Sequence, residues 1–525
     1  MTNGPRALHR RNLGFAVALA VLVLWFIGAQ WVRSVEPLGL DQGLFACFAR
    51  WVPRGWLPYR DLYDSKPPLF LYSWALSAVV PGDVVQAAWR LEAVWLATTM
   101  ALAFALARRV WDRWSGLAAV ALVFAALWAP GWGGYWSRAQ ADELSALPVL
   151  GAAWLAWRAL DRPGLAFWAG LLTGVAGLYK IPSMAMAAAW PLTWLLAGSL
   201  RPSLRRTGLL AVGIVVPWAL AFGWFAAHGA LGDFYQAAFV YHRHNAAFIS
   251  PPWSHVLPTF ARELGLGAPL LLLCAAIGLA LLRKRRAREF WWLLPWIVLT
   301  MASVILQRQL AGYQYLLAMP GLAMAGAFGV VELARGAAQR PRRLAWVLGL
   351  ASVLALSVES GVQWWRAYGI DLLHLSGRLT RDEYLRRLQP DGFSSSTEEA
   401  AARYLREHSA PGEGLLVWGM SPGLYALADR RPVTRYPFHK ILMTDAPLSR
   451  MIPGLDERRA ELMRRLRADP PAYVLIGRND RNGFEPETSM MSLTRFTELA
   501  AFVRSQYHPE IEIGNFLVVR RGPAP

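Results

Sequence analysis

Residues 13–32 read LGFAVALAVLVLWFIGAQWV, an uncharged run directly behind Arg6, His9, Arg10 and Arg11. About 20 consecutive apolar residues are what an α-helix needs to cross the hydrocarbon core of a bilayer. A cleavable secretory signal has a shorter apolar region and ends at a small-residue cleavage site, and neither description fits this stretch. The run is therefore expected to be a first transmembrane helix. Its basic flank places the N-terminus in the cytoplasm.

The rest of the chain repeats that pattern. It has 525 residues, 55% of them hydrophobic and 17% charged, with 27 Trp, more apolar content than a soluble fold of this length carries. Further apolar stretches of spanning length lie near 88–107, 115–131, 144–160, 164–181, 183–200, 208–227, 260–282, 290–307, 314–334 and 343–363. The segment 67–81 is short and is bounded by Pro67-Pro68 and Pro81-Gly82, so it is either a crossing or a helix on the membrane surface. Charge decides between these. If 67–81 does not cross, the clusters Arg108-Arg109-Arg113, Arg158-Arg162, Arg201-Arg205-Arg206, Arg283-Lys284-Arg285-Arg286-Arg288 and Arg335-Arg340-Arg342-Arg343 fall on the side of the N-terminus. Positive-inside bias favours that arrangement of about eleven spans. It puts the loops 33–87, 132–143 and 228–258 on the outer face.

The net charge of +19 does not point to nucleic acid, because Lys and Arg sit in short clusters between apolar stretches rather than in one stripe. With two cysteines, Cys47 and Cys274, no disulfide framework or cysteine metal site is expected. From about Gly392 the character changes. β-like runs at Leu415–Trp418 and Tyr473–Ile476 alternate with helical ones at 455–468 and 492–505, which reads as a small α/β domain. The predicted organisation is a transmembrane module at 1–363, an amphipathic connector at 364–391 and a soluble extracytoplasmic domain at 392–525.

Ionisable residues at membrane depth or at its edge are costly, so those in outer loops beside helix ends are the first functional candidates. The first outer loop offers Glu36, Asp41, Tyr59, Arg60, Asp64 and Lys66, within Glu36-Pro37-Leu38-Gly39-Leu40-Asp41, Gly55-x-x-Pro58-Tyr59-Arg60-Asp61 and Asp64-Ser65-Lys66-Pro67-Pro68. Such a set suits an acid or base beside an anionic lipid head group. The bland alternative is a solvated loop whose charges face water.

The order of these elements resembles the large class of membrane glycosyltransferases that includes protein O-mannosyltransferases and the aminoarabinose transferases acting on lipid A. There an acidic element opens the first outer loop, a Gly-x-x-Pro turn follows and a Lys-Pro element closes it; Asp41, Gly55–Pro58 and Lys66-Pro67-Pro68 match in that order. Gln42 stands where a second acid is often found, which leaves Glu36 or Asp64 to supply that charge. Trp136–Glu143, with Arg138, Asp142 and Glu143, is similar to the second acidic site of the class. Gly170-x-x-x-Gly174 followed by Gly177-x-x-Lys180 is similar to its glycine-rich fifth span; close helix packing explains the glycines equally well. Arg308 ahead of Tyr313-Gln314-Tyr315 and Pro320 is similar to another family element, with Tyr313 where members often carry His.

The resemblance implies a polytopic α-helical membrane protein of the GT-C fold with a C-terminal extracytoplasmic α/β domain. It also implies transfer of a sugar from a polyprenyl-phosphate donor to an extracytoplasmic lipid, glycan or protein acceptor, with inversion. Asp41 would be the base, oriented by Asp142 or Glu143, and Lys66, Lys180, Arg243 and Arg308 would hold the donor phosphate. Glu36, Tyr59, Arg60, Asp64, Arg138, His242 and Tyr313 would contact substrate. His242 and His244 are one residue apart and cannot both face a metal from a helix, so no metal site is assigned, and the need for a divalent cofactor stays open. The setting is the inner or plasma membrane, with no nucleic-acid partner. Two rivals remain: a ligase using a diphosphate-linked glycan, and a transporter, against which the absence of a convincing internal repeat speaks.

Overall fold

Apolar stretches bounded by Arg clusters become helices here because hydrocarbon leaves backbone N–H and C=O groups no partner but one another. The computed structural model describes residues 5–128, 132–243, 251–337, 362, 365–388, 394–443, 454–481 and 487–522. Among them, four helices are long and apolar enough to cross a membrane: Asn12–Val35, Val84–Val110, Leu200–Ala227 and Ala287–Gln307. Other predicted spans form shorter helices, among them Arg113–Leu127, Leu165–Tyr179 and Met186–Leu196. The stretch 343–363 lies, except for Val362, outside the described residues.

Two segments differ from a simple reading of hydropathy. The stretch 260–282 is not one straight helix, because Trp253–Gly267 and Pro269–Arg285 meet at an angle of 93°. Ala268 leaves helical geometry at φ −152°, ψ 61°, and Pro269, which has no N–H to donate, opens the second helix. The segment 67–81 forms a helix over Pro68–Ala75 with a 3₁₀ turn over Leu76–Val79. At about 1.5–2.0 Å per residue it falls well short of the roughly 30 Å of hydrocarbon.

By contacts the chain forms two compact units. The first comprises 1–35, 92–220 and 251–372, the second 36–91, 221–250 and 373–525. In the first unit, Pro269–Arg285 packs on Met319–Ala337, and Ala141–Ala159 on Leu165–Tyr179. Trp132, Trp190, Trp194, Trp292 and Trp296 are fully buried there. A Cβ on Gly170 would collide with the carbonyl of Leu210, and one on Gly174 would lie 2.7 Å from that of Ile214. These glycines therefore bring two helix backbones into direct contact, as the packing reading of Gly170-x-x-x-Gly174 expects.

In the second unit, β1 (Gly414–Trp418), β2 (Arg431–Pro432), β3 (Tyr473–Gly477), β4 (Tyr507–Ile513) and β5 (Phe516–Arg521) form one sheet in the order β2-β1-β3-β5-β4. β1 pairs in parallel with β2 and β3, while β5 runs antiparallel to β3 and β4. β3 is buried along its whole length, consistent with its apolar sequence. Gly514, at φ 56°, makes the tight turn between β4 and β5. Ser394 caps the helix Ser395–His408 by accepting from the Thr397 N–H. The helix Leu40–Trp51 packs against Gly423–Ala428 so closely that a Cβ on Gly43 would lie 2.9 Å from the Gly423 Cα. Cys47 Sγ donates to the Pro422 carbonyl at 3.1 Å, and Arg54 pairs with Asp429 at 2.8 Å. The first predicted outer loop thus belongs to the same packed body as the sheet.

Candidate active site

In the second unit, Gly39 is the extended N-cap of the helix Leu40–Trp51, which puts Asp41 in its first turn. After that helix a 3₁₀ turn closes on Gly55, whose φ of 93° suits a residue without a Cβ. Tyr59 also has positive φ, 73°, a strain of about 1–3 kcal/mol that surrounding contacts must hold. Its ring is fully buried beside Phe225 and Phe234, and its hydroxyl donates to the Lys66 carbonyl at 2.8 Å. Its N–H donates to the Leu62 carbonyl at 2.7 Å. The Gly-x-x-Pro-Tyr element is therefore a clamp for the turn that carries Asp64 and Lys66.

Asp64 is 6% exposed. One carboxylate oxygen accepts from the Ser65 N–H at 2.6 Å and the Lys66 N–H at 3.3 Å, while Oδ2 has no hydrogen-bond partner among the described residues. Burial pushes Asp64 up from 3.8 to about 6, with the Lys66 ammonium opposing and the Asp41 carboxylate reinforcing the shift. Lys66 Nζ lies 5.5 Å from the centroid of the Phe45 ring. His242 Nε2 lies 2.9 Å from the Ser65 carbonyl, and Tyr241 feels the charges of Lys66, Asp64 and Asp41. Asp41, Tyr59, Asp64, Lys66 and His242 are thus brought together. Arg60 instead pairs with its neighbour Asp61 at 2.8 Å, and Arg243 is exposed. Glu36 is 1% exposed, and its carbonyl receives the Trp89 indole N–H at 2.8 Å. His244 lies outside the described residues.

The Asp64 shift sets a pH dependence of stability. A carboxyl whose folded pKa is raised binds more protons folded than unfolded, so its stabilising contribution is complete below about pH 4 and is lost as pH rises through about 6. Asp64→Asn removes the buried charge but keeps an oxygen for the two backbone donors. The variant is expected to be more stable than wild type by about 2–3 kcal/mol at pH 7.5, with the difference vanishing near pH 4. Thermal unfolding at the two pH values checks this, and a variant no more stable at pH 7.5 would refute it.

In the first unit, the predicted second acidic site opens the helix Ala141–Ala159, with Asp142 and Glu143 in its first turn. Asp142 Oδ2 lies 2.9 Å from Lys180 Nζ. Lys180 sits at the break between Leu165–Tyr179 and the 3₁₀ turn Ile181–Ala185, in extended geometry, with Nζ 5.8 Å from the centroid of the Tyr313 ring. Asp142, Lys180 and Tyr313 therefore form one group. Glu143 is 4% exposed, and its Oε1 has no hydrogen-bond partner among the described residues. Lys180, expected as a cation for phosphate, is already matched by a carboxylate.

Arg138, expected at the substrate, is fully buried and forms an ion pair with Glu92. Its Nη1 donates to the Arg33 carbonyl at 2.7 Å, and Arg33 Nη2 donates to the Gly134 carbonyl at 3.1 Å. Arg138 thus ties Glu92 and the end of the first helix to the segment that leads to Asp142. Arg308 caps its helix at φ 57°, donates to the Pro251 carbonyl and lies over the Trp253 ring. Sequence reasoning missed Glu92, although a lone acid inside the apolar stretch 88–107 was signal enough.

A family model described as dolichyl-phosphate-mannose-protein mannosyltransferase matches residues 65–224. Over 260 residues the chain is 28% identical to the undecaprenyl phosphate-alpha-4-amino-4-deoxy-L-arabinose arabinosyl transferase of Pseudomonas savastanoi pv. phaseolicola, covering 47% of each protein. The chain thus spans about half the length of this curated relative. Among solved structures, ArnT from Cupriavidus metallidurans bound to undecaprenyl phosphate matches with a TM-score of 0.62 and 17% identity, covering 97% of this chain and 99% of that one. This chain shares that fold. The apo form of ArnT from the same organism matches at 0.58 with 15% identity, covering 97% of this chain and 100% of that one. The likeness to this membrane glycosyltransferase class, read first from three separated motifs in one loop, therefore extends over nearly the whole chain at the level of fold.

Proposed function

We propose that the chain is an integral membrane glycosyltransferase that moves a sugar from a polyprenyl-phosphate donor to a hydroxyl of an extracytoplasmic acceptor, with inversion. The observation that carries this reading is the buried Asp64 carboxylate, with one oxygen unpartnered among the described residues, beside Asp41 and Lys66 at the start of the segment that resembles mannosyltransferases. ArnT of the shared fold was solved with undecaprenyl phosphate, and a polyprenyl phosphate is the leaving group assigned here. The N-terminus is placed in the cytoplasm and the domain at 392–525 outside it, with about eleven spans.

In this mechanism Asp41 takes the proton of the acceptor hydroxyl, and the hydroxyl oxygen attacks the anomeric carbon. The bond from that carbon to the phosphate oxygen breaks, and its electron pair leaves with the polyprenyl phosphate. Charge grows on the phosphate as the bond breaks, so cations that meet it in the transition state accelerate the step. Lys66 and Arg243 are assigned that work in the second unit. Lys180 and Arg308 already have partners in the first unit, Asp142 and the Pro251 carbonyl. Asp64, sharing its surroundings with Asp41, keeps a negative charge near the base above about pH 6.

The test is transfer by purified protein in nanodiscs, supplied with a panel of polyprenyl-phosphate sugars and membrane extract as acceptor. Acceptor-dependent release of polyprenyl phosphate, with an inverted anomeric configuration in the product, is expected. Activity with diphosphate-linked glycans alone would replace this reading with a ligase, and no turnover with any donor would remove it.

A further inference from the structure

A cavity of about 590 Å³ lies within the second unit, in the roughly 300–1,000 Å³ range of small-molecule sites. It is built from three separated stretches of chain, the first outer loop (Tyr63), residues 233–241 (Asp233, Tyr235) and the C-terminal region (Arg435, Tyr436, Glu461). None of the motifs singled out in the sequence was assigned to it, apart from Tyr59 in its wall.

Arg435 ties the three stretches together. It pairs with Asp233 at 2.6 Å and with Glu461 at 3.1 Å, and its carbonyl accepts from the Tyr63 N–H at 2.8 Å. The Tyr436 hydroxyl donates to Glu461 at 3.1 Å. The carboxylates are thus held in fixed orientations, and Asp233 and Glu461 remain partly exposed. Among the described lining residues, three arginines (Arg435, Arg458, Arg464) face three acids (Asp233, Glu457, Glu461), so the wall has no net charge. Five tyrosines line it as well.

We propose that this cavity binds a neutral saccharide, the acceptor glycan of the transfer reaction; the acceptor role rests on the function proposed above. Tyrosine rings present flat faces to the C–H face of a sugar ring and hydroxyls to its edge. Carboxylates pinned by a guanidinium accept from adjacent sugar hydroxyls without having to be ordered first. Balanced charge gives an anionic ligand no advantage. Two lining residues link the cavity to the candidate site: the Tyr59 hydroxyl donates to the Lys66 carbonyl, and Tyr241 lies within the field of Asp64 and Asp41.

The experiment uses full-length protein in nanodiscs on an array of neutral, phosphorylated and carboxylated oligosaccharides. Tyr235→Ala and Glu457→Gln are the variants, both at exposed lining positions outside the proposed catalytic group. Retention of neutral glycans by wild type, weakened about tenfold in Tyr235→Ala with an unchanged unfolding midpoint, is the expected result. Glu457→Gln should weaken the same glycans. No retention, retention of acidic glycans alone, or retention unchanged in both variants overturns the site. Turnover of the lipid-linked donor, assayed with membrane extract as acceptor, is scored separately. Wild type that cleaves donor while the variants raise the acceptor KM supports the acceptor role; wild type that holds neutral glycans but cleaves no donor overturns that role and leaves the saccharide site.

Discussion

Asp41→Asn is expected to lower transfer by about 10²–10⁴-fold, the usual worth of a positioned general base, while leaving the unfolding midpoint close to wild type. The substitution is nearly isosteric, and Asp41 sits in the first turn of a helix whose buried face is formed by other residues, among them Phe45, Cys47 and Phe48. Those contacts do not depend on the charge. The effect should appear in kcat as well as in kcat/KM, because proton removal belongs to the transition state rather than to substrate binding. Donor affinity, measured as protection of the protein against thermal unfolding by the polyprenyl-phosphate sugar, should change little. Near-normal turnover in Asp41→Asn would remove Asp41 from the chemistry and turn attention to Asp64, whose pKa near 6 also suits a base.

The same loop shows how much of the site was legible in the sequence. Asp41, Tyr59, Asp64 and Lys66 lie within one stretch of 26 residues, so a short-range motif sufficed to bring them to notice, and the structure gathers them. The four long apolar helices were legible for a similar reason, since a continuous apolar run is local information. The break at Ala268 was not, because hydropathy averages over a bend and Pro269 is as acceptable in the first turn of a new helix as at a kink. Nor was the partner of Arg138, 46 residues away in Glu92, nor that of Arg435, 202 residues away in Asp233. Such pairs leave no spacing to read; each becomes visible only when two distant segments are folded side by side. Lys180 illustrates the remaining gap. Its position at a helix end was legible, but its neutralisation by Asp142 was not.

Glu92→Leu is expected to destabilise the protein by about 3–5 kcal/mol, although Glu92 is assigned no part in the chemistry. The Glu92 and Arg138 side chains are both fully buried, and Arg138 reaches Glu92 through Nε and Nη2 while Nη1 is spent on the Arg33 carbonyl. Removing the acid leaves a buried guanidinium without its counter-charge, beside the second guanidinium of Arg33, which stacks on Trp128 and Tyr368 at 4.9 and 5.7 Å. That cost arises from the stranded cation and not from the lost attraction alone, so it can be tested by removing both partners. Glu92→Leu combined with Arg138→Met replaces the pair by apolar side chains of similar size, and the double variant should recover a large part of the stability lost in the single one. Activity is expected to behave differently. Arg138 holds the strand of chain that leads through Ala139, at φ 49°, into the turn bearing Asp142 and Glu143. The apolar pair restores stability without restoring that hold, so the double variant should be nearly as stable as wild type yet slower. A double variant as unstable as Glu92→Leu alone would show that the ion pair is not what the single substitution disrupts. One as active as wild type would show that Asp142 and Glu143 are placed by their own helix.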